Sequence, residues 1–330
     1  MMKKVAIAGA TGIVGSILAN HLSTDDIELD LYASEKSANE KISVNNREFT
    51  LRSLDTIRQE EYDYIFTAVS ADNVNDMVGK ITYPVTILDL SSANRQKVDV
   101  PLLLYGVNHN SYDEQKLIGL PNCVVAPVAR PIQIIGSENK ITNIFLSTYQ
   151  SITGAGRDQT TKLIEDFQND IESMAKMEKI YEFTDSNPDE VNAFNVVPKI
   201  DDMEEDGSTG EENKIKFELR KILNLRDVEI IATCVRVPVI RGHCASVNIV
   251  CDNEIDLNII KEKFLEDKDI VFDENIIPSP RQRGFSDKIS IGRLRVFKSS
   301  PNIISFWVVG DNLDIGAAGN AYKIYKYING

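Results

Sequence analysis

Apolar positions along the chain fall into two rhythms, one of period two and one near 3.6. Lys4 to Ala8 is a short β-branched and small apolar run; it leads into Gly9-Ala10-Thr11-Gly12-Ile13-Val14-Gly15 and then a helical spacing through His21. Ile27 to Ala33 (I-E-L-D-L-Y-A) alternates apolar and polar as a half-buried strand does. A β-α-β unit is therefore predicted to be complete by residue 33. Strand-like runs recur at Ile42 to Leu51 around an Asn45-Asn46 turn, at Tyr62 to Val69 and at Val85 to Leu90, with a short helix near Asn73 to Lys80. Residues 1 to about 122 thus read as a doubly wound, Rossmann-like α/β domain.

After Arg157 the pattern changes to a helical stretch ending near Met177 and an irregular acidic segment from Thr184 to Gly210. Thr209-Gly210-Glu211-Glu212 has capping-box spacing, with Thr209 as N-cap and Glu212 three residues on, and predicts a helix to about Leu223. Strand-like runs follow at Val228 to Val239 and His243 to Cys251, then a helix near Leu257 to Leu265. Strands near Ile289 to Val296 and Ile303 to Val309 and a closing helix from about Ile315 to Tyr327 complete the chain. This grouping predicts an α+β second domain with a mostly antiparallel sheet.

Composition narrows the classes. The 330 residues carry 36 Lys plus Arg against 50 Asp plus Glu, a formal net charge of −14, with 42% apolar residues. Such an acidic chain repels nucleic acid and anionic lipid, so an anionic substrate must be caught by a few local basic residues. No run approaches the roughly 18 to 20 apolar residues of a membrane span. The four cysteines form no C-x-x-C pair and show no histidine clustering, which argues against a zinc site or disulfide framework and fits a reducing cytoplasm.

Glycines 9, 12 and 15 between a strand and a helix let backbone approach a pyrophosphate, although the spacing G-x-x-G-x-x-G also suits a tight structural turn. Cofactor selection would fall at Ser34-Glu35-Lys36-Ser37, near the end of the second strand. Glu35 suits a ribose hydroxyl, whereas Lys36 with Ser34 and Ser37 suits a 2′-phosphate. Cys123, after Pro121-Asn122, sits beside apolar residues where a lone cysteine is ordinarily inert core, so nucleophilicity requires a base or positive field. Of the three histidines, His243 opens a strand whose apolar face it shares; it is either a satisfied core residue or that partner. Arg236 interrupts the face of Ile230, Ala232 and Cys234, and demands either a structural carboxylate or a substrate carboxylate. Glu211 and Lys214, at the end of the stripe Ile215, Leu219 and Ile222, are either an exposed i, i+3 pair or readers of a substrate ammonium and a phosphate. Arg95, just past a predicted strand end, is either a solvated loop residue or a phosphate contact.

As an ordered set these motifs resemble the aspartate-β-semialdehyde dehydrogenases nearly end to end. The landmarks are Gly9 to Gly15, Pro121-Asn122-Cys123, Thr148-Tyr149-Gln150 with Gly154-Ala155-Gly156, Asn195 to Pro198, Glu211-Glu212-x-Lys214, Cys234-x-Arg236 to Gly242-His243, and Asp311-Asn312-Leu313 with Gly316-Ala317-Ala318. The resemblance implies Cys123 as thioester nucleophile, His243 as general acid/base and Gln150 as substrate orienter. It implies Arg236, Glu211 and Asn122 as substrate ligands and Arg95 and Lys214 as phosphate ligands. Gly9, Thr11, Gly12, Ile13, Val14, Lys36, Ser37, Thr153, Gly154 and Asn312 would bind the cofactor, NADP in preference to NAD, and no metal is implied. The implied domains are 1–122 with about 312–330, binding NADP, and about 123–311, catalytic and dimerising; the implied assembly is a homodimer, with a homotetramer as the alternative. The expected reaction is NADPH-dependent reductive dephosphorylation of L-aspartyl 4-phosphate to L-aspartate 4-semialdehyde. A related acyl-phosphate or acyl-thioester reductase and a non-catalytic NADP-binding paralogue are the competing readings.

Some positions depart from the family pattern. Val69-Ser70-Ala71 replaces paired glycines, Leu104-Tyr105-Gly106-Val107-Asn108 replaces Val-Pro-Glu-Val-Asn, and Lys199, Asp314 and Lys36 stand where other residues are common. Pro127 and Pro131 predict a helix after Cys123 that is shortened or kinked, which discounts a helix dipole at that thiol.

Overall fold

The computed structural model describes residues 2–78, 84–176, 191–283 and 287–330. The chain forms two compact units, one of Met1–Gln133, Phe217–Arg226 and Leu313–Gly330, the other of Ile134–Lys216 and Asp227–Asn312.

In the first unit, β1 (Lys3–Ala8), α1 (Ile13–Leu22) and β2 (Ile27–Ala33) form the predicted β-α-β start. A hairpin of β3 (Lys41–Val44) and β4 (Arg47–Thr50) turns on Asn45 and Asn46, both left-handed, a conformation asparagine tolerates. There follow β5 (Arg52–Ser53), β6 (Tyr64–Thr67), α2 (Ala71–Val78), β7 (Thr86–Asp89), β8 (Leu117–Gly119) and α3 (Val125–Glu138). The predicted extension of α2 to Lys80 lies outside the described residues. Six strands make an all-parallel sheet in the order β5-β2-β1-β6-β7-β8. Strand order reverses between β1 and β6, the switch point where doubly wound sheets bind ligands.

The second unit begins with β9 (Ile141–Gln150) and α4 (Arg157–Lys176), followed by α5 (Gly210–Leu223), whose last turns belong to the first unit. The predicted end of α4 at Met177 and the acidic stretch from Thr184 to residue 190 lie outside the described residues. The chain continues through β10 (Glu229–Arg236), β11 (His243–Cys251), α6 (Leu257–Glu266), β12 (Ile270–Phe272), α7 (Pro280–Arg283), β13 (Ile289–Phe297) and β14 (Ser300–Gly310). Its sheet runs β10-β9-β11-β14-β13-β12 and is mixed: the three inner pairings are antiparallel, while β10 on β9 and β12 on β13 are parallel. One face carries Ile144, Leu146, Val247, Ile249 and Phe306 and is buried; the other leaves Phe145 and Ile231 exposed.

A π-turn over Asp314–Ala318 leads into α8 (Gly319–Asn329). Ala321, Ile324 and Tyr325 of α8 join Leu18 and Leu22 of α1 in the core of the first unit. No helix among the described residues is long and apolar enough to cross a membrane.

Candidate active site

Each unit gathers one set of the sequence-derived residues. In the first, β1 runs into Gly9, whose φ is +91°; a Cβ there would meet the Ala68 carbonyl oxygen at 2.4 Å. A Cβ on Gly15 would meet the Gly9 carbonyl oxygen at 2.1 Å, so the loop tolerates only glycine at both positions. The N-terminus of α1 has no side-chain cap and no acidic residue in its first turn. Its N–H groups and positive dipole end are thereby left for an anion, the donor set a pyrophosphate requires. Ser34 to Ser37 form one exposed to half-buried turn directly after β2, with Lys36 exposed. A dinucleotide fits this cradle.

Cys123 occupies the turn before α3 and is half-buried. Asn122 organises that turn: its Oδ1 accepts the Val124 N–H at 2.9 Å and its carbonyl accepts the Val125 N–H at 3.0 Å. Of the shortened or kinked helix expected from the prolines, the shortening is not found, for α3 runs over 14 residues with Pro131 inside it. Pro127 lies in the first turn, where no N–H is needed. Pro131, at a cost of about 3 kcal/mol, is outweighed by the buried face of Val125, Val128, Ala129 and Ile132, worth roughly 1.5 to 3 kcal/mol for each large side chain. Cys123 therefore does sit at a helix N-terminus, where the dipole favours an anion. Gly316 packs against it so closely that a Cβ would come within 2.6 Å of the Cys123 carbonyl oxygen.

Behind this turn lies Glu218, only 1% exposed. Its Oε1 accepts from Arg95 Nη1 at 3.2 Å and its Oε2 accepts the Asn122 N–H. Arg95 Nη2 donates to the Leu90 carbonyl at 2.8 Å, and Arg95 Nε is buried with no partner among the described residues. One turn along, Lys221 Nζ donates to the carbonyls of Arg95, Lys97 and Val100 at 3.0, 2.6 and 2.7 Å. The sequence assigns Glu218 no role and places Lys221 and Gly316 only within family motifs. Glu218 was detectable, because it interrupts the stripe of Ile215 and Ile222 with a charge.

The second set forms where β9 and β10 end and β11 begins. Gln150 and Arg236 are register partners across the β9–β10 pair. Gln150 Nε2 donates to Glu211 Oε1 at 3.2 Å and to Thr148 Oγ1 at 3.3 Å. Glu211 is buried in the first turn of α5, and the capping box beside it forms as its spacing predicts. Glu212 Oε2 accepts the Thr209 N–H at 2.8 Å, and Thr209 Oγ1 accepts the Glu212 N–H at 3.4 Å. Lys214, on the same helix, pairs instead with Asp201 and is 30% exposed. Arg236 Nη1 donates to the Ser151 carbonyl at 2.7 Å.

His243 is 1% exposed. Its Nδ1 accepts the Ser151 backbone N–H at 3.0 Å and lies 3.1 Å from Ser151 Oγ. Asn312 ties the group together: its Oδ1 accepts from Ser151 Oγ and the Gly242 N–H, and its Nδ2 donates to Thr153 Oγ1. Burial, reinforced by the Arg236 cation, pulls the imidazole down to about 3. A Cβ on Gly154 would stand 3.2 Å from His243 Nε2 and 3.3 Å from Arg236 Nη1, so the missing side chain lets backbone approach both. Cys234 and Cys244, by contrast, are buried thiols pushed up to about 12, which suits inert core positions.

Two family models match the chain: the NAD binding domain of semialdehyde dehydrogenase over residues 4–115 and its dimerisation domain over residues 135–315. The aspartate-semialdehyde dehydrogenase of Aquifex aeolicus is 32% identical, covering 98% of this chain and 97% of that protein. The chain belongs to the aspartate-semialdehyde dehydrogenase family. The Rickettsia bellii enzyme of the same name is also 32% identical, again covering 98% of this chain and 97% of its own length. A crystal structure of aspartate semialdehyde dehydrogenase II from Vibrio cholerae, complexed with ASA, superposes with a TM-score of 0.90 at 26% identity, covering 100% of this chain and 98% of that one. Membership makes the chain an enzyme, an oxidoreductase of the semialdehyde dehydrogenase class. The glycine cradle falls in the span matched by the NAD binding domain, and Gln150, Glu211, Arg236 and His243 fall in the span matched by the dimerisation domain. Cys123 and the start of α3 lie between the two spans.

Proposed function

We propose that this chain is an aspartate-semialdehyde dehydrogenase that interconverts L-aspartyl 4-phosphate and L-aspartate 4-semialdehyde plus phosphate, on the route to lysine, threonine and methionine. The reading is carried by the convergence of Gln150, Glu211, Arg236 and His243 at one set of strand ends in a chain similar to the Aquifex enzyme over nearly its whole length. Residues 1–122 with about 312–330 hold the nucleotide, through Gly9, Thr11, Gly12, Ile13 and Val14 on its pyrophosphate and Lys36 with Ser37 on a 2′-phosphate. That positive charge favours NADP over NAD. Thr153, Gly154 and Asn312 would hold the nicotinamide end.

When bound, the nicotinamide supplies or accepts the hydride. The chain's own residues do the rest. The Cys123 thiolate attacks the acyl carbon, the bond to the phosphate oxygen breaks, and a thioester remains on sulfur. Arg95 and Lys214 hold the departing phosphate; for Lys214 this means exchanging Asp201 for the ligand. Arg236 takes the α-carboxylate, Glu211 the α-ammonium, and Gln150 and Asn122 orient the acyl group, so binding at one end positions the reacting end. His243 serves as the general acid/base. After reduction the C–S bond breaks, and the aldehyde leaves with the thiolate restored.

The exposed Phe145 and Ile231, on the outer face of the second unit's sheet, support a homodimer formed through the catalytic and dimerisation domain, about residues 123–311. A cytoplasmic location fits such a biosynthetic role. The decisive experiment follows reduced-nicotinamide absorbance when purified protein meets aspartate semialdehyde, phosphate and NADP, with NAD and phosphate-free mixtures alongside. Phosphate-dependent reduction is expected, and Cys123→Ala should abolish it while nucleotide binding persists. Turnover retained by that variant would refute the nucleophile; silence with both cofactors would point to another acyl substrate or a non-catalytic paralogue.

A further inference from the structure

We propose that His21 and Asp314 form a latch that positions Cys123: the pair ties the π-turn over Asp314–Ala318 to α1, and the tied turn seats Gly316 against the cysteine. The inference rests on the function above only for Cys123 as the nucleophile. Both are positioning residues, since they reach that residue through Gly316. All the groups concerned belong to the first unit. Asp314 is among the departures from the family pattern, so the latch is a property of this chain.

His21 lies in the last turn of α1, the helix whose N-terminus forms the glycine cradle. Its Nε2 donates to Asp314 Oδ1 at 3.0 Å, since a carboxylate can only accept. Tyr322 of α8 braces the ring: the two rings stack with centroids 5.1 Å apart and planes 14° apart. Tyr322 is braced in turn, for its hydroxyl donates to Asp25 Oδ1 at 3.0 Å, and Lys326 pairs with the same oxygen at 3.2 Å. Asp314 opens the turn, in which the Ala318 N–H donates to the Leu313 carbonyl at 2.9 Å and the Gly319 N–H to the Asp314 carbonyl, a five-residue spacing. Its carboxylate finds room only because residue 319 is glycine, since a Cβ there would strike Asp314 Oδ1. Two residues into the same turn, Gly316 reaches Cys123, where a Cβ would stand 2.6 Å from the cysteine carbonyl oxygen and 3.0 Å from its Cβ.

A π-turn is a rare winding that concentrates at functional sites, and this one contains or abuts glycines at 316 and 319, which hold no backbone conformation of their own. Rewinding it with ordinary i→i+4 bonds would move each residue by one position, about 100° around the helix axis, and would carry Gly316 off Cys123. The bond to His21 opposes that rewinding at the first residue of the turn. With side chains 33% and 22% exposed, the pair adds little to global stability. Its consequence is local: Asn122 organises one side of Cys123 and Gly316 closes the other. A nucleophile misplaced by about 1 Å loses on the order of 100-fold in rate.

The test compares His21→Leu, Asp314→Ala and Asp314→Asn with the wild-type full-length chain, the last variant keeping an oxygen that accepts from Nε2. Iodoacetamide labelling is followed cysteine by cysteine by mass spectrometry, and NADP affinity by fluorescence titration. In His21→Leu and Asp314→Ala, Cys123 should label several-fold faster as Gly316 lifts away, while the buried Cys234, Cys244 and Cys251 stay unlabelled. Their kcat should fall roughly 10- to 100-fold, with the KM for semialdehyde and the Kd for NADP held within about twofold. Asp314→Asn should restore both labelling and kcat to near the wild-type values. An unchanged Cys123 labelling rate would overturn the proposal. So would labelling of all four cysteines together, which would make the pair a general staple, or an Asp314→Asn variant as impaired as Asp314→Ala. Wild-type protein that is silent in the turnover assay, with the labelling changed as expected, would sink the proposed reaction and leave the latch standing.

Discussion

At the scale of single residues, the fold displaces the ionisation of His243. His243 titrates at about 3 in the folded chain, below its ordinary value near 6.5, because burial and the Arg236 cation both penalise the imidazolium. Between those two values the unfolded chain binds a proton that the folded chain refuses. The stability penalty is therefore absent above about pH 6.5 and grows as pH falls toward 3. Urea midpoints measured from pH 7.5 down to 5 should decline more steeply in the wild-type protein than in His243→Gln, which has nothing to titrate there. Equal slopes would mean that His243 is not buried neutral. Glycines matter at the same scale: Gly9, Gly15, Gly154 and Gly316 each stand where a Cβ would strike the glycine loop, His243 and Arg236, or Cys123 itself.

Among the elements, α5 has the widest reach. Its first turn is closed by the Thr209–Glu212 capping box and presents Glu211 to Gln150; its later turns place Glu218 against Arg95 and the turn of Cys123. A buried carboxylate bonded to a guanidinium and a backbone N–H cannot be neutralised without leaving a partner unpaired. Glu218→Gln should therefore destabilise the protein by about 3 to 5 kcal/mol, and raise the KM for phosphate more than that for the semialdehyde, because Arg95 loses its orientation. Denaturant unfolding and steady-state kinetics with each substrate varied would check both. A stable variant with an unchanged phosphate KM would leave Glu218 no part in anion capture. The capping box, the Asn45-Asn46 hairpin and the strand His243–Cys251 were legible in the sequence, because each depends on contacts only a few residues apart. The full length of α3 was not, since a local rule about proline was overruled by burial of its apolar face.

For the whole molecule, the outer face of the second unit's sheet remains to be covered. Phe145 and Ile231 lie exposed on the adjacent strands β9 and β10, within the span matched by the family's dimerisation domain. Placing charge there should break self-association. On the proposed homodimer, Phe145→Glu combined with Ile231→Glu is expected to sediment as a monomer and the wild-type chain as a dimer, with far-ultraviolet circular dichroism the same for both. A double variant that stays dimeric would move the interface elsewhere. By itself, the sequence determined the opening β-α-β unit, the glycine turn and most of the later helices and strands, though not β9, and it singled out Cys123, His243, Gln150, Glu211 and Arg236 as candidates, because periodicity, turn chemistry and ordered motifs are written in neighbouring residues. Tertiary structure alone decided which alternatives those residues took. It directed Glu211 inward to Gln150 and Lys214 outward to Asp201, and it set the Ser151 amide against His243 Nδ1 and Glu218 beneath Arg95. Those outcomes join residues 13 to 123 positions apart in the chain, a distance over which side-chain pairing is fixed by packing and not by any local pattern.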